Sequence, residues 1–167
     1  LMRVTELFQT IPAFLFAIVL VAIFTPSVTT IVLAIGVVSW PPVARLTRGE
    51  FLSLRGREFV QACEAMGMGD FRIIVRHCLP NAAAPIIVTG SLMVATAILT
   101  EAGLAFLGLG DPNVMSWGTI IGAGREVLRS AWHVCTLPGL AILLTVLGLN
   151  LVGEGLNDAL NPRLRER

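Results

Sequence analysis

The stretch NAAAPIIVTGSLMVATAILTEAGLA, residues 81–105, decides the fold. It is apolar almost throughout, and Glu101 near its end is its one ionisable group. The hydrocarbon core of a bilayer is about 30 Å thick, so a membrane helix needs about 20 mostly apolar residues. A helix crosses because it satisfies its own backbone hydrogen bonds where water is absent. Working outward, three more runs meet the same condition: Val4 to Phe24, Thr25 to Ala44 and Val134 to Gly153. The expected fold is all-α, a polytopic transmembrane helical bundle with four spans in one domain covering 1–167, a connection at 45–80 and another at 106–133.

Composition points the same way. The 167 residues are 55% hydrophobic and 14% charged, more apolar surface than a soluble domain of this size can bury, so the lipid bilayer is the expected solvent. A formal net charge of +1 argues against nucleic acid as a partner. All twelve basic residues are arginines, and the absence of lysine excludes both a phosphate-binding loop of the G-x-x-x-x-G-K-[ST] type and Schiff-base chemistry. If transport costs ATP, another chain hydrolyses it. Cys63, Cys78 and Cys135 have no C-x-x-C spacing, and His77-Cys78 offers two ligands where zinc takes four, so small buried thiols and no metal are expected. No catalytic Ser/His/Asp or Cys/His set is evident, and the chain reads as no enzyme.

Arginine counting orients the spans. Arg3 precedes the first, six arginines lie between Arg45 and Arg76, two lie in 106–133 and three follow Pro162, ten against two. The positive-inside rule then puts both termini and the 45–80 connection in the cytoplasm, with the turn at Pro26 and the Phe106 to Trp132 segment outside. Arg3 before an apolar run resembles a signal peptide, but no A-x-A-like cleavage site follows, so this run is expected to stay as a span. Thr25-Pro26-Ser27 supplies a tight turn in which Ser27 caps the next helix. Because the chain opens on Leu1 and runs at once into a span, an N-terminal truncation is expected.

The 45–80 connection is long and patterned as helix. Phe59, Ala62, Cys63 and Met66 fall at i, i+3, i+4 and i+7, with Glu58, Gln61 and Glu64 on the opposite face. Gly67 suits the left-handed conformation that ends a helix. Asp70 is placed to cap a second short helix, Phe71 to Leu79, whose apolar side carries Phe71, Ile74, Val75 and Cys78, and Pro80 is expected to end it and open the next span. Two short amphipathic helices outside the membrane suit either a lipid surface or a groove on a partner; the acidic polar face of the first favours the partner.

Gln61-Ala62-Cys63, three residues, Gly67, nine residues and His77-Cys78-Leu79-Pro80 resemble the EAA loop, E-A-A-x3-G-x9-I-x-L-P, of ABC importer permeases. The stretches SWPPVARLTRGEFLSLR, RGREFVQACEAMGMGDFRIIVRHCLPNAAAP, TEAGLAFLGLG and LPGLAILLTVLGLNLVGEGLNDALNPRLR are similar to the dipeptide/oligopeptide/nickel branch, so the likeness covers essentially the whole chain. Gln61, Cys63 and His77 depart from the glutamate, alanine and isoleucine of the signature, and Asn157 and Asn161 stand where charged residues are usual. Gln61 keeps hydrogen-bonding capacity and brings no charge.

The resemblance implies a type I importer permease of six spans, four of them present here, working with ABC ATPase subunits, a second homologous permease subunit and an extracytoplasmic substrate-binding protein. ATP and Mg would be held by the ATPase, and this chain would bind no cofactor. It also implies that Phe59, Gln61, Ala62, Cys63, Glu64, Ala65, Met66, Gly67, Asp70, Leu79 and Pro80 form an ATPase-docking coupling loop, with Phe59, Cys63 and Met66 inserted. A short helix continuous with a span through Leu79-Pro80 can transmit rigid-body motion. An ATP-independent transporter or a membrane scaffold is the rival reading.

Residues facing a transport pathway are harder to assign. Thr89, Met93, Thr96 and Thr100 fall on one face of the third span and suit either a peptide pathway or plain helix packing, because threonines in membrane helices also back-bond. Glu101 is a carboxylate near the outer interface and suits either a functional group or a solvated one. Around the outer connection, Asp111-Pro112-Asn113 reads as a turn, and Trp117 and Trp132 as interface anchors.

Overall fold

A computed structural model describes residues 2–160, and these form a bundle of helices. Asn161 and the arginines after Pro162 lie outside the described residues, as does Leu1. Helix α1 covers Met2–Gln9, α2 Ala13–Ile23, α3 Val28–Arg55, α4 Glu58–Ala65, α5 Asp70–Ile73, α6 Leu79–Phe106, α7 Trp117–Gly124 and α8 His133–Leu160. Three uninterrupted helical stretches among the described residues are long and apolar enough to cross a membrane, and α1 with α2 makes a fourth if that bent pair is one span.

The first expected span is therefore not one straight helix. Between α1 and α2 the axis turns by 83°. Pro12 has no N–H to give to the preceding turn, and its ring drives Ile11 out of the helical region. Pro12 takes an extended ψ of 127° at the N-cap of α2, while Thr10 closes α1 by donating its backbone N–H and its hydroxyl to the Leu7 carbonyl.

Helix α3 begins as expected, with the Ser27 hydroxyl accepting the Thr30 N–H. It does not stop at Ala44. It runs through Pro41 and Pro42 to Arg55, so the first eleven residues of the supposed connection continue the helix. Its 28 residues rise about 42 Å, about 12 Å more than a hydrocarbon core. Helix α8 likewise outruns the expected 134–153 at both ends.

Pro80 does not end a helix either. From α5 the chain passes through a π turn, Ile74–Cys78, straight into α6, and 70–106 forms one continuous helical stretch. A proline at position 80 would clash with the Arg76 carbonyl in a regular α-helix. The wider turn avoids this: the Leu79 N–H reaches back five residues to the Ile74 carbonyl, and the Asn81 amide donates to the His77 carbonyl at 2.7 Å.

Helix α6 is the hub, packed by α3, α7 and α8. A small core of Ala17, Val21, Ile31, Ala34 and Leu104 joins α2, α3 and α6. Elsewhere, close approach of backbones replaces large side chains. Gly118 and Gly122, four apart on α7, sit on the backbone at Ala102 and Phe106, four apart on α6. Between membrane helices, where lipid is as apolar as leucine, such small residues let backbones touch.

Candidate functional site

The 58–80 segment folds into a hairpin on the end of α3. Helix α4 carries Glu58 in its first turn, where the N-terminal dipole favours an acid. It closes as the sequence predicts: Gly67 has φ +74°, its N–H bonds the Glu64 carbonyl at 2.9 Å, and the Met68 N–H bonds the Cys63 carbonyl at 3.1 Å. These paired bonds satisfy the orphan carbonyls of the last turn, and Met68 packs back against the Cys63 cluster as that motif favours.

The cap of α5 differs from expectation. Gly69 is the N-cap and Asp70 is the first helical residue, with no side-chain capping bond; the acid there still meets the N-terminal dipole. Asp70 instead lines a cavity of about 380 Å³, opposite Arg48 and Arg55 of α3 and beside Glu64 of α4.

Burial corrects the expected insertion face. Cys63 is buried, at 5% exposure, in a cluster with Val60, Ile73 and Cys78, against which Phe51, Leu54 and Met68 pack. This cluster holds the hairpin to α3, so Cys63 lies on the buried side of the hairpin and not with the exposed Phe59 and Met66. Phe59, Ala62 and Met66 remain exposed, together with Gln61 and Ala65. Phe71 joins them at 80% exposure, and Met66 stands at 67%. Leu79 and Pro80 lie at the base of the hairpin, where α6 begins, and both are exposed.

Val60 and Ile73 were not visible in the pattern. A regular helix from Phe71 would group Phe71, Ile74, Val75 and Cys78, but the π turn adds a residue per turn, and Ile73 and Cys78, five apart, share the buried side instead. The signal available in advance was Pro80, whose clash with residue 76 calls for such a distortion.

The threonine stripe divides. Met93, Thr96 and Thr100 line one cleft of about 270 Å³ with Ser39 and Pro42 of α3 and Phe14 of α2, whereas Thr89 does not line it. The Thr96 and Thr100 hydroxyls donate to the carbonyls of Leu92 and Thr96, so their protons are committed to the helix and only lone pairs face the cleft. Glu101 lies on a different groove, lined by Ile31 and Ile35 of α3, Asp111, Trp117 and Ile120.

The 107–116 connection is tied to the opposite end of α3 from the hairpin. Asp111 accepts the Asn113 N–H at 2.9 Å and the Val28 N–H at 3.1 Å, which makes the expected turn and caps the first residue of α3 from a distance. The bond from Asn113 foremost, then that from Val28, holds the Asp111 carboxyl below the usual carboxylate range. A depressed folded pKa gives stability that is complete above the unfolded value and is lost as pH falls through the folded one. Protection of the Val28 amide, its exchange rate compared with the intrinsic rate at the same pH, is therefore expected to be high at neutral pH and to fall on acidification through that lowered value. In Asp111→Ala that protection should be low at every pH.

Long apolar helices joined to a rigid hairpin at one end define a multi-pass helical membrane protein. Residues 1–166 match the family described as binding-protein-dependent transport system inner membrane component, and the chain belongs to that family. It is 45% identical over 167 residues to a dipeptide transport system permease protein of Escherichia coli, covering 99% of this chain and 56% of that protein. It is 42% identical over 166 residues to a di/tripeptide transport system permease protein of Pseudomonas aeruginosa, covering 99% and 55%. A dipeptide transport system permease protein of Alkalihalophilus pseudofirmus is 43% identical over 164 residues, covering 98% and 54%. The chain thus spans about half the length of the curated relatives it matches.

Proposed function

We propose that this chain is part of the permease of an ATP-driven importer for short peptides, and that the 58–80 hairpin docks on a separate ATPase subunit. The observation that carries the reading is the hairpin itself. It presents Phe59, Met66 and Phe71 on its outside, it is anchored to α3 through Val60 and Cys63, and it runs without a break into α6. A force applied at its apex is therefore delivered to two long apolar helices at once, which is what coupling a distant ATPase to a pathway requires. Peptide as the cargo is supported by the names of the relatives at 42–45% identity.

In this reading the arginine asymmetry puts the hairpin and both termini of the chain in the cytoplasm. The ATPase holds ATP and Mg, a second homologous permease subunit completes the pathway, and the 106–133 side receives a substrate-binding protein. Met93, Thr96 and Thr100 offer oxygen and sulfur lone pairs to the pathway, suited to peptide N–H groups.

The test is co-purification of the assembled importer. Met66→Asp with Phe71→Asp places two charges on the most exposed large apolar positions of the hairpin. It should weaken ATPase retention by thirtyfold or so, as loss of an interface anchor does, with thermal unfolding of the chain unchanged. Retention equal to wild type would end the docking reading. Uptake into vesicles without nucleotide would support the ATP-independent rival instead.

A further inference from the structure

A cavity of about 640 Å³ lies between α1 and the inner half of α3, lined by Met2, Trp40, Ala44 and Phe51 together with Thr47 and Arg48. We infer that it binds one anionic phospholipid, with the phosphate at Arg48 and an acyl chain against Trp40 and Ala44.

Depth is the first reason. Asp111 holds the Val28 end of α3, and twenty residues later Arg48 stands about 30 Å along the axis, one hydrocarbon thickness. With Val28 at one interface, Arg48 is level with the headgroups of the other leaflet and Trp40 is level with the acyl chains.

The second reason is the sorting of chemistry along the cavity. Among the described residues, Arg48 is the one ionisable side chain lining it. Both hydroxyls on its wall have committed their protons: Thr5 donates to the Met2 carbonyl at 2.7 Å and Thr47 to the Val43 carbonyl at 2.8 Å. The guanidinium is left as the cationic donor, beside the neutral indole N–H of Trp40, and its planar fork matches a phosphate. Arg48 also borders the 380 Å³ cavity that holds Glu64 and Asp70, where Arg55 supplies a second cation to those acids.

The third reason is the shape of α1. Turned 83° from α2, it packs against α3 at the level of Trp40, Thr47 and Phe51 and exposes Arg3, Glu6 and Gln9. Arg45 donates to the Gln9 side chain and fastens it there. A short amphipathic helix that reaches from the level of Arg48 down to that of Trp40, with arginines beside it, is a setting in which anionic lipids are held between helices. A lipid lodged there would wedge α1 against the helix that leads to the hairpin.

Native mass spectrometry of the assembled importer in mild detergent tests this, with dioleoyl-phosphatidylglycerol, dioleoyl-phosphatidylcholine and inorganic phosphate as separate probes. Phosphatidylglycerol should be retained where phosphatidylcholine is not, and phosphate should not displace it. Arg48→Gln should weaken that retention about fivefold, and Arg57→Gln, an arginine off the cavity, should not. Ala44→Trp, which fills the apolar half and leaves the charge, should abolish it. Should Arg48→Gln fail to fold, Ala44→Trp and the preference between the two lipids decide. Equal retention of both lipids, indifference to the substitutions, or no bound lipid because protein fills the cleft would overturn the inference. Displacement by phosphate would reduce the site to a plain anion site and overturn it equally.

Discussion

Gly118→Ala should destabilise the protein by about 3 kcal/mol, the upper end of what overpacking costs, although it adds a single methyl group. The new Cβ would fall 2.2 Å from the Ala102 carbonyl oxygen, 2.7 Å from its Cα and 2.8 Å from its carbonyl carbon. Backbone atoms of α6 cannot rotate aside, so α7 must lift. Lifting α7 also opens the neighbouring contact, where Gly122 meets the Phe106 carbonyl oxygen at 2.9 Å by the same measure. The check is the midpoint of thermal unfolding in detergent, with Gly148→Ala as the comparison. A Cβ at Gly148 meets nothing within 4 Å, so there the helix preference of alanine should leave stability unchanged or raise it by up to about 1 kcal/mol. Equal midpoints for the two variants would mean that α7 does not rest on α6 as described.

Val60→Asp is the second large effect. Val60 is 3% exposed in the cluster with Cys63, Ile73 and Cys78, and it borders the cavity where Arg48 and Arg55 already stand with Glu64 and Asp70. A third acid there has no cation of its own, and an uncompensated buried charge costs roughly 3–5 kcal/mol. The hairpin should come off α3 and become open to protease between α3 and α5, while α6 and α8 stay packed. Met66→Asp, the same charge on the exposed side, should change stability by less than about 0.5 kcal/mol and act on partner retention alone. Protease resistance in Val60→Asp equal to that of Met66→Asp would refute the cluster as the anchor.

These two positions separate what a pattern can show from what it cannot. The α-helical class and the three straight apolar helices follow from long apolar runs, because a bilayer forces the backbone to satisfy its own bonds whatever the neighbours are. Gly67 was legible for a similar reason: a left-handed residue after an amphipathic run is a local demand, met within one helical turn. The hairpin face was half legible. Phe59 and Met66 are outside as expected, while Cys63 is inside, since its partners Ile73 and Cys78 come from beyond the turn.

The glycines of α7 could be read as small, but only the structure shows that two of them meet a backbone. Proline positions misled in both directions. Pro12 breaks its helix, Pro41 and Pro42 do not, and Pro80 is absorbed by a π turn. The cost of a proline depends on whether the turn before it can widen to relieve the clash with its ring, as the Leu79 N–H does by reaching back to the Ile74 carbonyl.

Composition and periodicity alone settled a helical membrane protein with a hairpin between two of its long helices, because burial in lipid and helix capping act over a few residues. Which side of that hairpin is free, which threonines share a cleft and where Arg48 sits relative to α1 were decided by packing between segments far apart in the chain, and that depends on distances no single window of sequence contains.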